Sequence, residues 1–197
     1  MNSTIFLKTY KSIPINKKEI LRYAGCKEAT EEVSLLLDDC ITEAEHLLSY
    51  RVCYREFHVA TESVTCSFDD FTLKSESLAL NLKGCKRGII FGATIGIEMD
   101  RLIAKYGRLS PAKALIFQAL GAERIEALCD AFCDDIESEY NIKAKPRFSP
   151  GYGDLPLECQ KYLFDFLDCE RKIGLTLNQS FLMIPSKSVT AFIGFTD

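Results

Sequence analysis

Between positions 147 and 160 the chain reads Arg147-Phe148-Ser149-Pro150-Gly151-Tyr152-Gly153-Asp154-Leu155-Pro156-Leu157-Glu158-Cys159-Gln160. A lone guanidinium is followed by a Pro-Gly turn that carries Tyr152. A helix is predicted over 154–167, with Asp154 as its N-cap and Pro156 in the first turn, where a missing N–H costs nothing. A planar donor fork, free backbone amides and the positive end of a helix dipole in one region suit a ligand bearing a carboxylate and a flat ring. The same residues also suit a plain surface loop whose arginine pairs with a nearby carboxylate. A ligand role for Arg147 requires an open cleft beside the turn. An arginine closed into an internal ion pair, with no such cleft, leaves only the surface loop.

Three other groups could carry chemistry. The stretch Gly88-Ile89-Ile90-Phe91-Gly92-Ala93-Thr94-Ile95-Gly96 is an apolar strand running into a glycine turn, with a helix predicted over 97–106. That order is the shape of a Rossmann-type nucleotide or S-adenosylmethionine loop. The alternative function it suggests is a stand-alone small-molecule methyltransferase or nucleotide-binding protein using the Gly92–Gly96 loop. Yet the full Gly-x-Gly-x-x-Gly spacing is missing, as is the repeated strand–helix alternation of that fold, and close helix–strand packing is the plainer account. Next, Glu123, Glu126, Asp130, Asp134 and Glu137 form an acidic ridge at helical spacing with no lysine between them. Such like charges repel by a few tenths of a kcal/mol per pair, so the ridge is either a wet face or a holder of a cation. Finally, nine cysteines are an odd number at irregular spacings. Cys129 and Cys133 are the one close pair, the iron–sulfur triplet would need a cysteine where Ile136 stands, and neither His46 nor His58 falls at ligand spacing. No metal site is expected, and the cysteines read as reduced thiols used as small buried hydrophobes. No triad or carboxylate pair marks a catalytic side chain.

The elements that must hold these residues form a mixed set. An extended arm covers 1–16, a short helix 17–23, and a longer helix 30–49 with Val33, Leu36, Leu37, Cys40, Ile41, Ala44, Leu47 and Leu48 on one stripe. Residues 51–60 alternate as a half-buried strand, with a phase slip near Arg55 that predicts a bulge. A strand pair turning at Asp69-Asp70 and a helix over 75–82 follow. The longest helix runs from Ser110-Pro111 to about Tyr140, with Leu115, Ala119, Ala122, Ile125, Cys129, Phe132, Ile136 and Tyr140 as its core stripe. Three strands over 174–177, 181–184 and 189–195 close the chain. Without βαβ regularity this is an α+β fold, an antiparallel sheet flanked by helices. A single domain over 1–197 is expected, with an N-terminal arm and helices over 1–50 and an α+β body over 51–197. At 47% hydrophobic and 26% charged residues the chain suits a globular protein, and its net charge of −4 with no basic run argues against a nucleic-acid surface. The absence of a long apolar stretch argues against a membrane span, and the early polar residues after Met1 argue against a secretory signal. A cytoplasmic location is expected.

Arg147-x-x-Pro150-Gly151-Tyr152, followed by Pro156 and a helix, resembles the signature of the activation domain of cobalamin-dependent methionine synthase, which binds S-adenosylmethionine. The likeness continues without a gap through Ile173-Gly174, Leu177-Asn178-Gln179-Ser180-Phe181, Met183, Pro185 and Ser188-Val189. The resemblance implies an activation-domain-like fold and a component of a methyltransferase system that reactivates cob(II)alamin by reductive methylation. Attack of reduced cobalt on a sulfonium methyl needs no side-chain base, so the protein contributes position and electrostatics. By the same resemblance, Arg147 would take the ligand carboxylate and the Ser149 backbone would read the adenine edge. Gly151 would permit close approach, Tyr152 would lie near the corrin or adenosine, and Asp130 would face the ammonium group.

The chain departs from the family pattern in one respect that bears on partners. No Asp-x-His-x-x-Gly run is present: His46 follows Glu43-Ala44-Glu45, and His58 follows Arg55-Glu56-Phe57. Cobalamin is therefore expected on a partner, a separate cobalamin-binding methionine synthase or related corrinoid protein, with a flavodoxin or ferredoxin as electron donor. The end at Asp197 falls short of a family segment that carries further ligand contacts, which implies weak binding of S-adenosylmethionine until the partner closes the cleft.

Overall fold

The computed structural model of the chain describes residues 4–26 and 28–196. Residues 1–3 of the expected arm, and Asp197, lie outside these. A seven-stranded sheet, antiparallel throughout, forms the centre, in the order β4-β3-β2-β5-β9-β6 with β1 also paired to β2. The strands are β1 (Phe6–Tyr10), β2 (Tyr50–Glu62), β3 (Thr65–Phe68), β4 (Thr72–Lys74), β5 (Arg87–Thr94), β6 (Lys143–Ala144) and β9 (Ser188–Thr196). A separate hairpin joins β7 (Thr176–Leu177) and β8 (Met183–Ile184). The helices are α1 (Lys17–Tyr23), α2 (Glu31–Ala44), α3 (Glu76–Asn81), α4 (Glu98–Leu109), α5 (Pro111–Tyr140), α6 (Gln160–Leu167) and α7 (Cys169–Ile173). The expected α+β fold, an antiparallel sheet flanked by helices, is the one observed.

Both faces of the sheet are buried. One core gathers Val52 and Tyr54 of β2, Ile89, Phe91 and Ala93 of β5, and Ala191, Ile193 and Phe195 of β9 beneath α1, α2, α4 and α5. The other gathers Cys53, Phe57 and Val59 of β2, Ile90 and Phe192 with residues of α3, α6 and α7. This explains the apparent phase slip in β2. Its pairing with β5 runs unbroken from Arg51↔Thr94 to His58↔Arg87, so there is no bulge. Instead, the face carrying the apolar residues changes along the strand, because α5 covers its first half on one side and the second core covers its later half on the other. Burial on both faces also accounts for the continuous apolar run of β5.

Local signals fix most helix ends. Thr30 caps α2 through Val33 N–H at 3.3 Å, and Ser110 caps α5 with Pro111 behind it. Helix α2 stops at Ala44, short of the expected Ser49. The Leu47 N–H turns back to the Ala44 carbonyl, and the Ser49 N–H is drawn to the Ile95 carbonyl at 3.0 Å, leading the chain into the sheet. Helix α5 passes Gly121 unbroken, and the glycine makes room for Met99 and Lys187, which a side chain there would meet. Its expected stripe is buried at Ala119, Ile125, Cys129, Phe132 and Ile136 and departs only in the first turns. Leu115 is 51% exposed, whereas Ile116, Phe117 and Leu120 are buried.

The acidic ridge is not one wet face. Glu123 is buried against Arg124, whose fully buried guanidinium also donates to the Ile13 carbonyl at 2.7 Å and the Pro14 carbonyl at 2.6 Å. Glu126 and Asp130 pair with Arg147, and Glu137 accepts the Ala144 N–H. All nine cysteines are unbridged, and Cys40, Cys53, Cys66, Cys85, Cys129 and Cys169 are buried as the sequence suggested. No helix among the described residues is long and apolar enough to cross a membrane.

Candidate functional site

The Arg147 stretch is pinned at both ends. Before the turn, Phe148 and Phe192 exchange backbone hydrogen bonds of 3.0 and 2.8 Å, which ties the loop to β9. Within it, the Tyr152 N–H donates to the Ser149 carbonyl at 3.2 Å and the Gly151 N–H to the Leu155 carbonyl at 2.9 Å. Gly151 has φ +91°, a left-handed conformation that glycine adopts without strain. Asp154 does not cap the helix that follows it, which begins as a single 3₁₀ turn over Leu157–Cys159 with Pro156 at its cap. Its carboxylate instead accepts from Ser75 Oγ at 2.6 Å, Glu76 N–H at 2.7 Å and Ser77 N–H at 3.0 Å, closing the N-terminus of α3. These bonds, first that from Ser75 and then those from the two amides, hold its carboxyl well below the usual carboxylate range.

The second stretch of the resemblance folds against the first. Asn178 organises a tight turn, its Oδ1 accepting from Ser180 N–H at 2.8 Å and Leu182 N–H at 3.0 Å. The chain then passes through β8 to Ser186, whose N–H donates to Asp100 at 2.8 Å, and enters β9. Between the two stretches lies an open cleft of about 610 Å³. Arg147, Ser149, Pro150, Tyr152, Leu157 and Gln160 line it from one side of the sequence, and Phe181, Leu182, Met183, Ser186, Ser188, Val189 and Thr190 from the other. Its volume falls in the range of roughly 300–1,000 Å³ usual for small-molecule sites.

Arg147 is both paired and at the cleft. Its Nη1 donates to Asp130 Oδ1 at 2.7 Å and its Nη2 to Glu126 Oε2 at 2.9 Å, while the side chain keeps 24% of its exposure and lines the cavity. Burial pushes the nearby thiols of Cys129 and Cys133 up, the latter to about 11, so its neighbours on α5 stay protonated at neutral pH. Tyr152 is 68% exposed at the rim. Asp130 reaches the guanidinium but opens on a neighbouring acidic cleft with Glu19, Glu123 and Asp134. Glu126, one turn earlier, lines both that cleft and the main one, where it is the carboxylate in the wall.

Three wall residues escaped sequence reasoning. Glu126 stood on the acidic ridge, yet only the tertiary position of Arg147 separates it from Asp130. Gln160 and Thr190 carry no motif signal, and their interest lies in burial without partners. The Gly92–Gly96 loop has a structural explanation. A side chain at Gly92 would sit 3.2 Å from Cys169 Sγ and one at Gly96 2.5 Å from Ser49 Oγ, and β5 lies between two antiparallel neighbours. Its glycines permit packing, and the Rossmann-type reading falls with the topology. No group of three or more potential metal ligands is present among the described residues.

The model of the family described as vitamin B12 dependent methionine synthase, activation domain, matches residues 7–196. Thirteen solved chains match, among them a MetH reactivation domain crystallised with AdoHcy. It superposes with a TM-score of 0.70 at 15% identity, covering 97% of this chain and 78% of that one. No curated protein matches in sequence.

Proposed function

Since the chain belongs to the vitamin B12 dependent methionine synthase activation domain family, we propose that it binds S-adenosylmethionine in the cleft between the Arg147 loop and β9. There it presents the methyl group to a cobalamin held by a separate methionine synthase or related corrinoid protein. The observation that supports this best is the meeting of two stretches, 147–160 and 181–190, around one open cavity that exposes Arg147. The related reactivation domain was solved with AdoHcy, which is what S-adenosylmethionine becomes once its methyl has left.

The residues present suit such a ligand. Arg147 takes the carboxylate through a charge-assisted, fork-like pair, exchanging part of its present bonding to Asp130 and Glu126. These two carboxylates then face the ammonium, Asp130 from beside the guanidinium and Glu126 from the cleft wall. The Ser149 backbone reads the adenine edge, with Gly151 allowing close approach. Tyr152, exposed at the rim, stands near the adenosine or an incoming corrin. Held by these residues, the ligand would offer its sulfonium methyl to a partner.

Cobalamin, when bound to its partner, supplies a reduced cobalt that accepts the methyl, and a flavodoxin or ferredoxin supplies the electron. The contribution of this chain is binding, orientation and exclusion of water, with no side chain moving a proton.

The decisive experiment mixes the protein, S-adenosylmethionine, a reductant and a cob(II)alamin-loaded synthase, and follows methylation in the visible spectrum of the corrinoid. Methylation is expected only when all components are present. No methylation, together with no calorimetric binding of S-adenosylmethionine, would overturn the reading.

A further inference from the structure

We propose that Gln160 and Thr190 form a neutral polar subsite that holds the nucleoside end of the ligand, an assignment that rests on the S-adenosylmethionine reading of the cleft. Gln160 is 4% exposed and Thr190 1%, and both line the cavity. Gln160 Oε1 and Thr190 Oγ1 are buried without a hydrogen-bond partner. Five described side chains carry such an orphaned atom (Arg51, Arg55, Asn81, Gln160 and Thr190), and only these two line the main cleft. Their neighbours are satisfied: Ser188 gives its hydroxyl to Thr94 at 2.9 Å, and Ser186 bonds to Asp100. A buried polar atom without a partner destabilises the fold unless something that binds there completes it.

The two residues come from different elements. Gln160 opens α6, at the end of the Arg147 stretch, and Thr190 lies on β9 opposite Gly92, on the same face as Phe192. Both are uncharged, so they cannot balance a carboxylate or an ammonium, and Arg147 and Glu126 already stand in the wall for those groups. An amide offers an acceptor and two donors in one plane, and a hydroxyl offers one donor and two acceptor positions. Beside the apolar walls of Leu157 and Met183, that combination matches a flat heterocycle with an amino edge joined to a sugar.

The test compares wild type, Gln160→Met, Thr190→Val and Arg147→Ala by calorimetry with two ligands. One is S-adenosylmethionine, and the other is 5′-methylthioadenosine, which keeps the nucleoside and lacks the amino-acid tail. Gln160→Met and Thr190→Val are expected to weaken both ligands about three- to tenfold, the range of one hydrogen bond. Arg147→Ala should weaken only the first. Ligand-free melting temperatures of the two apolar variants should equal or exceed wild type, because each removes an orphaned atom. Thr190→Ser should restore binding, which guards against a misfolded Thr190→Val. Unchanged affinities for both ligands would overturn the subsite while leaving the Arg147 reading intact, as would a loss confined to S-adenosylmethionine. Failure of the wild type to bind either ligand would overturn both.

Discussion

Arg147 Nη2 lies 2.9 Å from Glu126 Oε2, and both residues stand in the wall of the same cleft. The partner carboxylates are well exposed, with side chains 47% accessible at Glu126 and 69% at Asp130. Ion pairs of this kind stabilise a fold by about 0–1 kcal/mol. A ligand carboxylate can therefore replace one of them at little cost to the protein. Arg147→Ala is expected to lower S-adenosylmethionine affinity about 10- to 100-fold, the scale of a charged hydrogen bond, with only a small change in melting temperature. Calorimetry and thermal denaturation on the same sample check both halves, and unchanged affinity would remove Arg147 from the site.

Tyr152, at 68% exposure, contributes little to packing. Tyr152→Ala should leave thermal stability unchanged within about 0.5 kcal/mol, as for most surface substitutions. Methyl transfer to a corrinoid partner should fall by a larger factor than S-adenosylmethionine affinity does. Equal transfer rates for variant and wild type would mean that the ring has no part in docking.

Glu123 and Arg124 form a buried ion pair that also satisfies the Ile13 and Pro14 carbonyls. Arg124→Met strands a carboxylate in the core, and a loss of about 3–5 kcal/mol in urea denaturation is expected. The double variant Glu123→Leu with Arg124→Met should recover much of that loss. A single variant as stable as wild type would show that the pair is dispensable.

Asp154 gives the pH dependence a sign. Its carboxyl is held below its ordinary value, chiefly by Ser75 and then by the Glu76 and Ser77 amides. Its contribution is therefore fully present above the unfolded carboxylate value of about 3.9 and is lost as pH falls through the lower folded value. Asp154→Asn should melt a few degrees below wild type at neutral pH, with the gap narrowing in acid. A gap that stays constant below about pH 4 would assign the effect to shape rather than charge.

Helices α2 and α5 were legible because apolar periodicity is local, although the end of α2 was not, since the sheet residue Ile95 that draws Ser49 away lies far along the chain. The α+β class was legible too, since a chain without strand–helix alternation has few ways to build a parallel sheet. The face change in β2 was not legible, because which side of a strand is covered depends on helices far along the chain. Asp154 misled for a similar reason: its hydrogen-bond partner Ser75 lies 79 residues earlier, while the local pattern of a proline and a helix pointed to a nearer role. At the cleft, Arg147 and Tyr152 stood out by motif. Gln160 and Thr190 did not, because an unmet hydrogen bond exists only once the chain has closed around it.

The double anchoring of the Arg147 loop, at Phe148 on β9 and at Asp154 on α3, has a thermodynamic consequence. The turn between those anchors has surrendered much of its conformational freedom during folding. A small molecule arriving at Arg147 and Ser149 meets a preorganised surface, and its binding entropy is spared the ordering of that segment.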